Sequence, residues 1–260
     1  MNSNHFITPH SMLTDTVDIT LIGAGGTGGE LLQQLWKMHH ALTKLGHDGF
    51  NVTVYDGDIV TESNVGRQPF WPCDLALNKA EVLVKRFNAW GGTDWKFRPE
   101  YADANAIVGG LRYKPYELLI TCVDKASFRA ELGVAANQFR GDNLWIDAGN
   151  GASNGQVILG HIGSKAGVDL RLPNVFDLFP SLANIEDNDE DSCSHEEAFA
   201  KQDFGINVDM ASAIRGLIWQ MLRYGRLEHH GVFVDMQTAD TTPLKIDPLV
   251  WSTFGYGVAS

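Results

Sequence analysis

Four glycines, a downstream run of carboxylates, amides and two cations, and one later aspartate are the residues through which this sequence could do chemistry. Gly23, Gly25, Gly26 and Gly28 stand in G-A-G-G-T-G, which fits G-x-G-x-x-G. In such a turn the first glycine lets the backbone reverse, the second lets a phosphate approach it, and the third lets a helix pack close to a strand. Downstream come Asp56, Asp58, Asn64, Arg67, Gln68 and Lys79, and later Asp124. A carboxylate suits a ribose hydroxyl or Mg2+, Arg67 offers a fixed fork of donors for phosphate oxygens, and Lys79 is a compact charge. The Asn64 amide could hold a phosphate or a ribose. Blander readings stay open: the glycines could serve only turns and packing, and Arg67 and Lys79 could be surface cations paired with Glu62 or Glu81.

These residues need elements to position them. Val17–Ile22 is short, apolar and β-branched, the pattern of a buried strand. Leu31, Leu32, Leu35, Met38 and Leu42 then recur at helical spacing, so a helix N-terminus points back at the glycine turn and makes it an anion site. A second strand, 51–55, is closed by Asp56. The gap from Gly28 exceeds the usual ~20 residues, which a long helix and the Gly46–Gly49 turn absorb. A helix is expected from Lys79 to about Phe87, with Val82, Leu83 and Phe87 inward, and a third strand over 95–101. The clearest later strand, 116–123, leads into Asp124, where a helix N-cap is the plainer role. Strand 144–148 and an antiparallel strand over 156–162 follow. An amphipathic helix carries Met210, Ile214, Leu217, Ile218, Met221 and Leu222. A turn over 223–230 leads to a closing hairpin, 231–235 with 243–247. The order predicts one α/β unit, a Rossmann-like, doubly wound and mostly parallel sheet with a C-terminal antiparallel extension over 17–260, behind a tail at 1–16.

The run D-x-D-x-V-x-x-S-N-x-x-R-Q from Asp56 to Gln68, with Lys79 behind it, resembles the ThiF/MoeB family, whose adenylating domain is shared with ubiquitin-activating enzymes. The resemblance implies ATP rather than NAD, and adenylation of a carboxylate rather than hydride transfer. It implies Asp56 on the ribose, Gly25 and Gly28 at the phosphates, and Asn64, Arg67 and Lys79 on the reacting phosphoryl group. It also implies Mg2+ on Asp124, because Cys122, Asp124 and Arg129 match the C-x-D motif with its following arginine. A homodimer is implied as well. Some members reach an N-terminal arginine into the neighbouring subunit's site, but here the first arginine is Arg67. Many relatives bind zinc through two C-x-x-C pairs, and this sequence has none, so no zinc is expected.

The back half extends the resemblance. Phe179-Pro180 followed by Cys193 fits the crossover loop in which ThiF-like proteins carry a sulfur- or thioester-accepting cysteine. Cys193 precedes a Ser194–Glu197 capping box, so helix dipole and nearby carboxylates pull its thiol in opposite directions. The loop spans about 163–196 and is rich in acids, either a solvated surface or a meeting place for a basic tail. S-C-S-x-x-E-A-x-A-x-Q-D, H-H-G-V-F-V-D and P-L-K-I-D-P resemble the ThiF-type member of the ParB-related, ThiF-related cassette (PRTRC). That cassette's small ubiquitin-like protein, with a free C-terminus, becomes the candidate partner.

Composition bounds the rest. A net charge of −12 over 260 residues argues against nucleic acid or an anionic membrane as partner. No apolar run reaches the length of a membrane span and no signal peptide opens the chain, so a cytoplasmic protein is expected. A nicotinamide oxidoreductase leaves Arg67 and Lys79 unexplained. A nucleotide-binding interaction module without turnover, and adenylation of a small-molecule or RNA-attached carboxylate, stay open.

Overall fold

The structure, a computed structural model, describes residues 5–111, 116–163, 170–184 and 202–257. Its strands are β1 (Phe6–Ile7), β2 (Val17–Ile22), β3 (Phe50–Tyr55), β4 (Lys96–Arg98), β5 (Leu118–Thr121), β6 (Leu144–Asn150), β7 (Asn154–His161), β8 (Arg226–Leu227), β9 (His229–Asp235) and β10 (Asp240–Lys245). The helices are α1 (Ser11–Thr14), α2 (Gly26–Lys44), α3 (Lys79–Gly91), α4 (Ala104–Leu111), α5 (Ala126–Ala136), α6 (Val175–Leu178), α7 (Ile206–Tyr224) and α8 (Pro248–Ser252).

Eight strands form one sheet in the order β10-β9-β7-β6-β5-β2-β3-β4. The strands from β4 to β6 run parallel, and β7, β9 and β10 add antiparallel. The expected Rossmann-like sheet with its antiparallel extension is therefore present. The chain moves outward from β2 to β3 and β4, then returns across β2 to place β5 on its other side. With right-handed crossovers, that reversal sends α2 and α3 to one face and α4 and α5 to the other. The carboxyl ends of β2 and β5 form the switch point, where such sheets hold ligands.

Both faces of β2 and β5 are covered, with only Asp18 half-buried, as a doubly covered sheet requires. The five apolar positions read as the inner stripe of α2 are all buried. All six singled out on α7 are buried too, against α2, β6 and β7. α3 runs past Phe87 to the left-handed Gly92, and Ala80 and Val84 take inward places where Val82 is only partly covered.

Three local expectations change. The strand expected over 95–101 shrinks to β4, because Pro99 follows with a fixed φ and no N–H. The turn expected over 223–230 is shorter, since α7 reaches Tyr224 and β8 starts at Arg226. The segment expected as a tail is strapped down from Phe6 onward. β1 pairs with β8, the Thr8 hydroxyl donates to the Met221 carbonyl at 2.8 Å, and Phe6 and Met12 are buried. Two anchors are too few to give such a segment a readable period. Among the described residues no helix is long and apolar enough to cross a membrane.

His230 holds α8 to the antiparallel end of the sheet. Its Nδ1 donates to the Leu159 carbonyl at 2.7 Å, and its Nε2 accepts from the Trp251 indole at 2.8 Å. Both ring nitrogens are thereby committed to the neutral imidazole. Burial pushes its pKa from 6.5 to about 4. The unfolded chain therefore binds a proton that the native chain refuses, so stability is full above about pH 6.5 and drains as pH falls towards 4. The shift corresponds to roughly 3 kcal/mol. Urea unfolding at pH 7.5 and 4.5 should show a larger acid loss for the wild type than for His230→Gln, by about 2–3 kcal/mol; equal losses would refute the assignment.

Candidate active site

The glycine turn lies where β2 gives way to α2. Gly23 has φ +93°, and a Cβ there would stand 2.5 Å from the Cys122 carbonyl oxygen. A Cβ on Gly28 would fall 1.9 Å from the Gly23 carbonyl oxygen, so the helix can approach the strand only through a glycine. Gly25 caps α2 and Gly26 opens it, leaving first-turn N–H groups without intrahelical partners. The Ala24 N–H donates to Asp56 Oδ2 at 2.6 Å, and the Asp58 N–H donates to Oδ1 at 2.8 Å. A carboxylate offers about four acceptor positions, so two remain for a diol. Burial raises the Asp56 carboxyl above its usual range, against the pull of these two N–H groups and Lys79.

Lys79 opens α3, whose cap is Asn78. The Asn78 side chain accepts from the Glu81 N–H at 3.0 Å while its amide nitrogen donates to the carbonyls of Asp56 and Asp58 at 2.8 and 3.0 Å. One residue thus clamps the carboxylate turn to the helix carrying the lysine. Lys79 is buried and pairs with Asp58 at 2.9 Å, not with Glu81. Asp58 also accepts from the Tyr101 hydroxyl at 2.6 Å. Burial works upward on Asp58, but Tyr101 and Lys79 outweigh it and hold its carboxyl below the usual range.

Asn64 is buried, and its Oδ1 accepts from the Thr61 N–H and hydroxyl at 3.0 Å each, closing a short helical turn. Arg67 leaves that turn with only long contacts among the described residues, 3.4 Å to the Ser63 carbonyl and 3.4 Å to Gln202 Oε1. Desolvation lowers its pKa and Asp124 raises it, but a guanidinium stays charged at neutral pH. The Gln68 amide lies 3.8 Å from where a Gly25 Cβ would be, and its buried Oε1 has no partner among the described residues. A cavity of about 100 Å³ separates Arg67 and Gln68 from the start of α7. There Asn207 Oδ1 accepts from the Thr27 hydroxyl at 2.9 Å, bringing α7 onto the first turn of α2.

Asp124 follows β5 on the far side of the switch point. Its side chain is exposed, yet the surrounding protein pushes its carboxyl up while Lys79 and then Arg67 pull it down. It does not cap α5, because Lys125 takes the N-cap position. Cys122 lies beneath the glycine turn, and burial pushes its thiol pKa well up, with Asp147 and Asp124 adding to the effect. Arg129 turns away from the cleft. Its Nε donates to Asp147 Oδ1 at 2.9 Å, its Nη2 pairs with Oδ2, and the Thr121 hydroxyl donates to Oδ1 at 2.6 Å. Glycine turn, Asp56, Lys79, Arg67 and Asp124 therefore surround one crevice.

The model of the ThiF family matches residues 12–200. The chain belongs to the ThiF family. No curated protein matches it in sequence. Among solved structures it is similar to PaaA (TM-score 0.60, 16% identity) and to Escherichia coli MccB crystallised with succinimide (TM-score 0.55, 15% identity). Each likeness covers 88% of this chain and 64% of the other, so this chain spans under two thirds of those proteins' length. At such identities the likeness speaks to the fold, which agrees with the doubly wound sheet.

The crevice of this ThiF-family chain fits a triphosphate and its cation. Glycine N–H groups at the start of α2, the Arg67 guanidinium with only long contacts among the described residues, and Lys79 paired with Asp58 stand around it. Among the described residues no three His, Cys, Asp or Glu converge as a metal cage. Mg2+ needs none when phosphates complete its shell around one or two carboxylates, and Asp58 and Asp124 are close enough to repel each other here. Cys193, its capping box and the acidic run lie outside the described residues. Sequence reasoning missed Asn78, Tyr101, Gln202 and Asn207. An asparagine before an apolar helix signals a cap, but only the fold shows what its amide holds. Gln202 and Asn207 stand far along the chain with no local pattern pointing to Arg67.

Proposed function

We propose that this chain adenylates a carboxylate with ATP. A carboxylate oxygen attacks the α-phosphorus, the bond to pyrophosphate breaks, and an acyl-adenylate forms. The reading rests on Arg67, Lys79 and Asp124 converging around the glycine turn. Positioning and charge neutralisation carry most of such a reaction. Asp56 clasps the ribose, the turn and the start of α2 receive phosphates, and Asn64, Arg67 and Lys79 surround the reacting phosphoryl group. Mg2+ held by Asp124 would neutralise phosphate oxygens.

The acceptor we propose is the C-terminal carboxylate of a small ubiquitin-like protein, with transfer to Cys193 as a later step in a cytoplasmic homodimer. The back-half resemblance to the PRTRC ThiF-type protein supports it. Adenylation of a small-molecule or RNA-attached carboxylate would use the same crevice. ATP–pyrophosphate exchange with each acceptor class is the test. With the right acceptor, Arg67→Ala and Lys79→Ala should each lower exchange by about 10²–10³-fold, and Cys193→Ala should leave it intact. Exchange that survives both cation deletions would refute the reading.

A further inference from the structure

We infer that Asn207, at the start of α7, is a positioning residue that sets Arg67 at its distance from the glycine turn. This deepens the adenylation reading and rests on it. The Asn207 amide lies flat on the first residue of α2: a Cβ on Gly26 would stand 2.5 Å from Asn207 Cγ and Nδ2 and 2.7 Å from its Oδ1. A side chain on Gly26 would therefore have to displace α7. One end of the amide is held by the buried Thr27, whose hydroxyl donates to Oδ1 at 2.9 Å. At the other end Nδ2 donates to Gln202 Oε1 at 3.5 Å, and the same Oε1 accepts from Arg67 Nη1 at 3.4 Å. Gly205, with φ +106°, lets the chain fold back so that Gln202 faces Asn207.

Thr27, Asn207, Gln202 and Arg67 thus form one run of side chains from the first turn of α2 to the guanidinium, the two anion-binding groups on that side of the crevice. Arg67, Gln202 and Asn207 line the same cavity of about 100 Å³. A guanidinium recognises phosphate by a fixed fork, which helps only when its long side chain is aimed. Gln202 Oε1 is a neutral acceptor shared by two donors, each near the outer limit of a hydrogen bond. It holds the guanidinium loosely in place. A phosphate oxygen, which binds a guanidinium about twice as strongly as a neutral acceptor does, then draws it off. A carboxylate in place of the Gln202 amide would compete with the phosphate instead. Asn207 keeps Gln202 within reach, because its amide cannot turn without losing Thr27.

The test is a double-variant cycle read by calorimetric titration of the full chain with Mg-ATP. Asn207→Ala should weaken binding by roughly 5- to 30-fold, a range set by the rotamer freedom that one released arginine regains. Arg67→Ala should weaken it more. The double variant should stay within about twofold of Arg67→Ala, because Asn207 acts through that guanidinium. Gln202→Ala interrupts the same run one residue further on and should show the same coupling, so it carries the test if Asn207→Ala melts early. A residue that merely supports the fold would give additive losses. Unchanged affinity in Asn207→Ala, or its full loss repeated on the Arg67→Ala background, overturns the inference and leaves the adenylation reading standing. A wild-type chain that does not bind Mg-ATP, or binding untouched by Arg67→Ala, overturns both together.

Discussion

Asp124→Asn should lower ATP–pyrophosphate exchange by about 10³-fold while leaving the melting temperature nearly unchanged. The side chain is exposed, it caps no helix, and asparagine preserves its shape, so the fold has little reason to respond. What disappears is the negative charge facing Lys79 and Arg67. Without it Arg67 loses a countercharge, Lys79 keeps Asp58, and the crevice loses one of its carboxylates. A second readout separates charge from shape. Desolvation raises the Asp124 carboxyl, so its ionised form is present above that raised pKa and lost as pH falls through it. In the chain free of nucleotide and Mg2+ that carboxyl should therefore titrate above an ordinary one, and Asp124→Asn should lack the step. A variant retaining most of its exchange would remove Asp124 from the reaction.

Arg129→Met should cost about 3–5 kcal/mol of stability. The methionine leaves Asp147, which has no exposed surface, with the Thr121 hydroxyl and no countercharge. The energy lies in the orphaned carboxylate, so Arg129→Met combined with Asp147→Leu should recover most of the loss. Urea denaturation of the wild type, both single variants and the double variant measures it as a cycle. Additive losses would mean that the pair acts independently. Arg129 lies on the first turn of α5, directly after the loop carrying Asp124. The single variant should thus lose exchange through misplacement of that carboxylate, and the repacked double variant should regain part of it.

What the sequence reveals here depends on how local the cause is. β2, the glycine turn and α2 are legible because a buried strand, a close approach and an apolar stripe each leave a pattern within twenty-odd residues. Lys79 is legible as a cation but not as the partner of Asp58, since Glu81 lies nearer in the chain. Asp147 reads as one polar residue in an apolar strand; its opposition to Thr121 is a matter of register between β5 and β6. Tyr101 looks like the end of a strand until Pro99 is seen to stop β4 short of it. Asn207 reaches the glycine turn only because α7 packs across α2, a contact between residues far apart in the chain. The straps from Phe6 to Met12 leave no pattern because they are short.

The contact between Gly23 and the Cys122 carbonyl has a bearing on how a substrate arrives. With a backbone oxygen filling the space a side chain would need, the ends of the paired strands β2 and β5 brace one another beneath the crevice. On the adenylation reading proposed above, ATP would then meet a floor already set by the fold. Its capture should run at the speed of encounter, with no slow tightening phase in a stopped-flow trace.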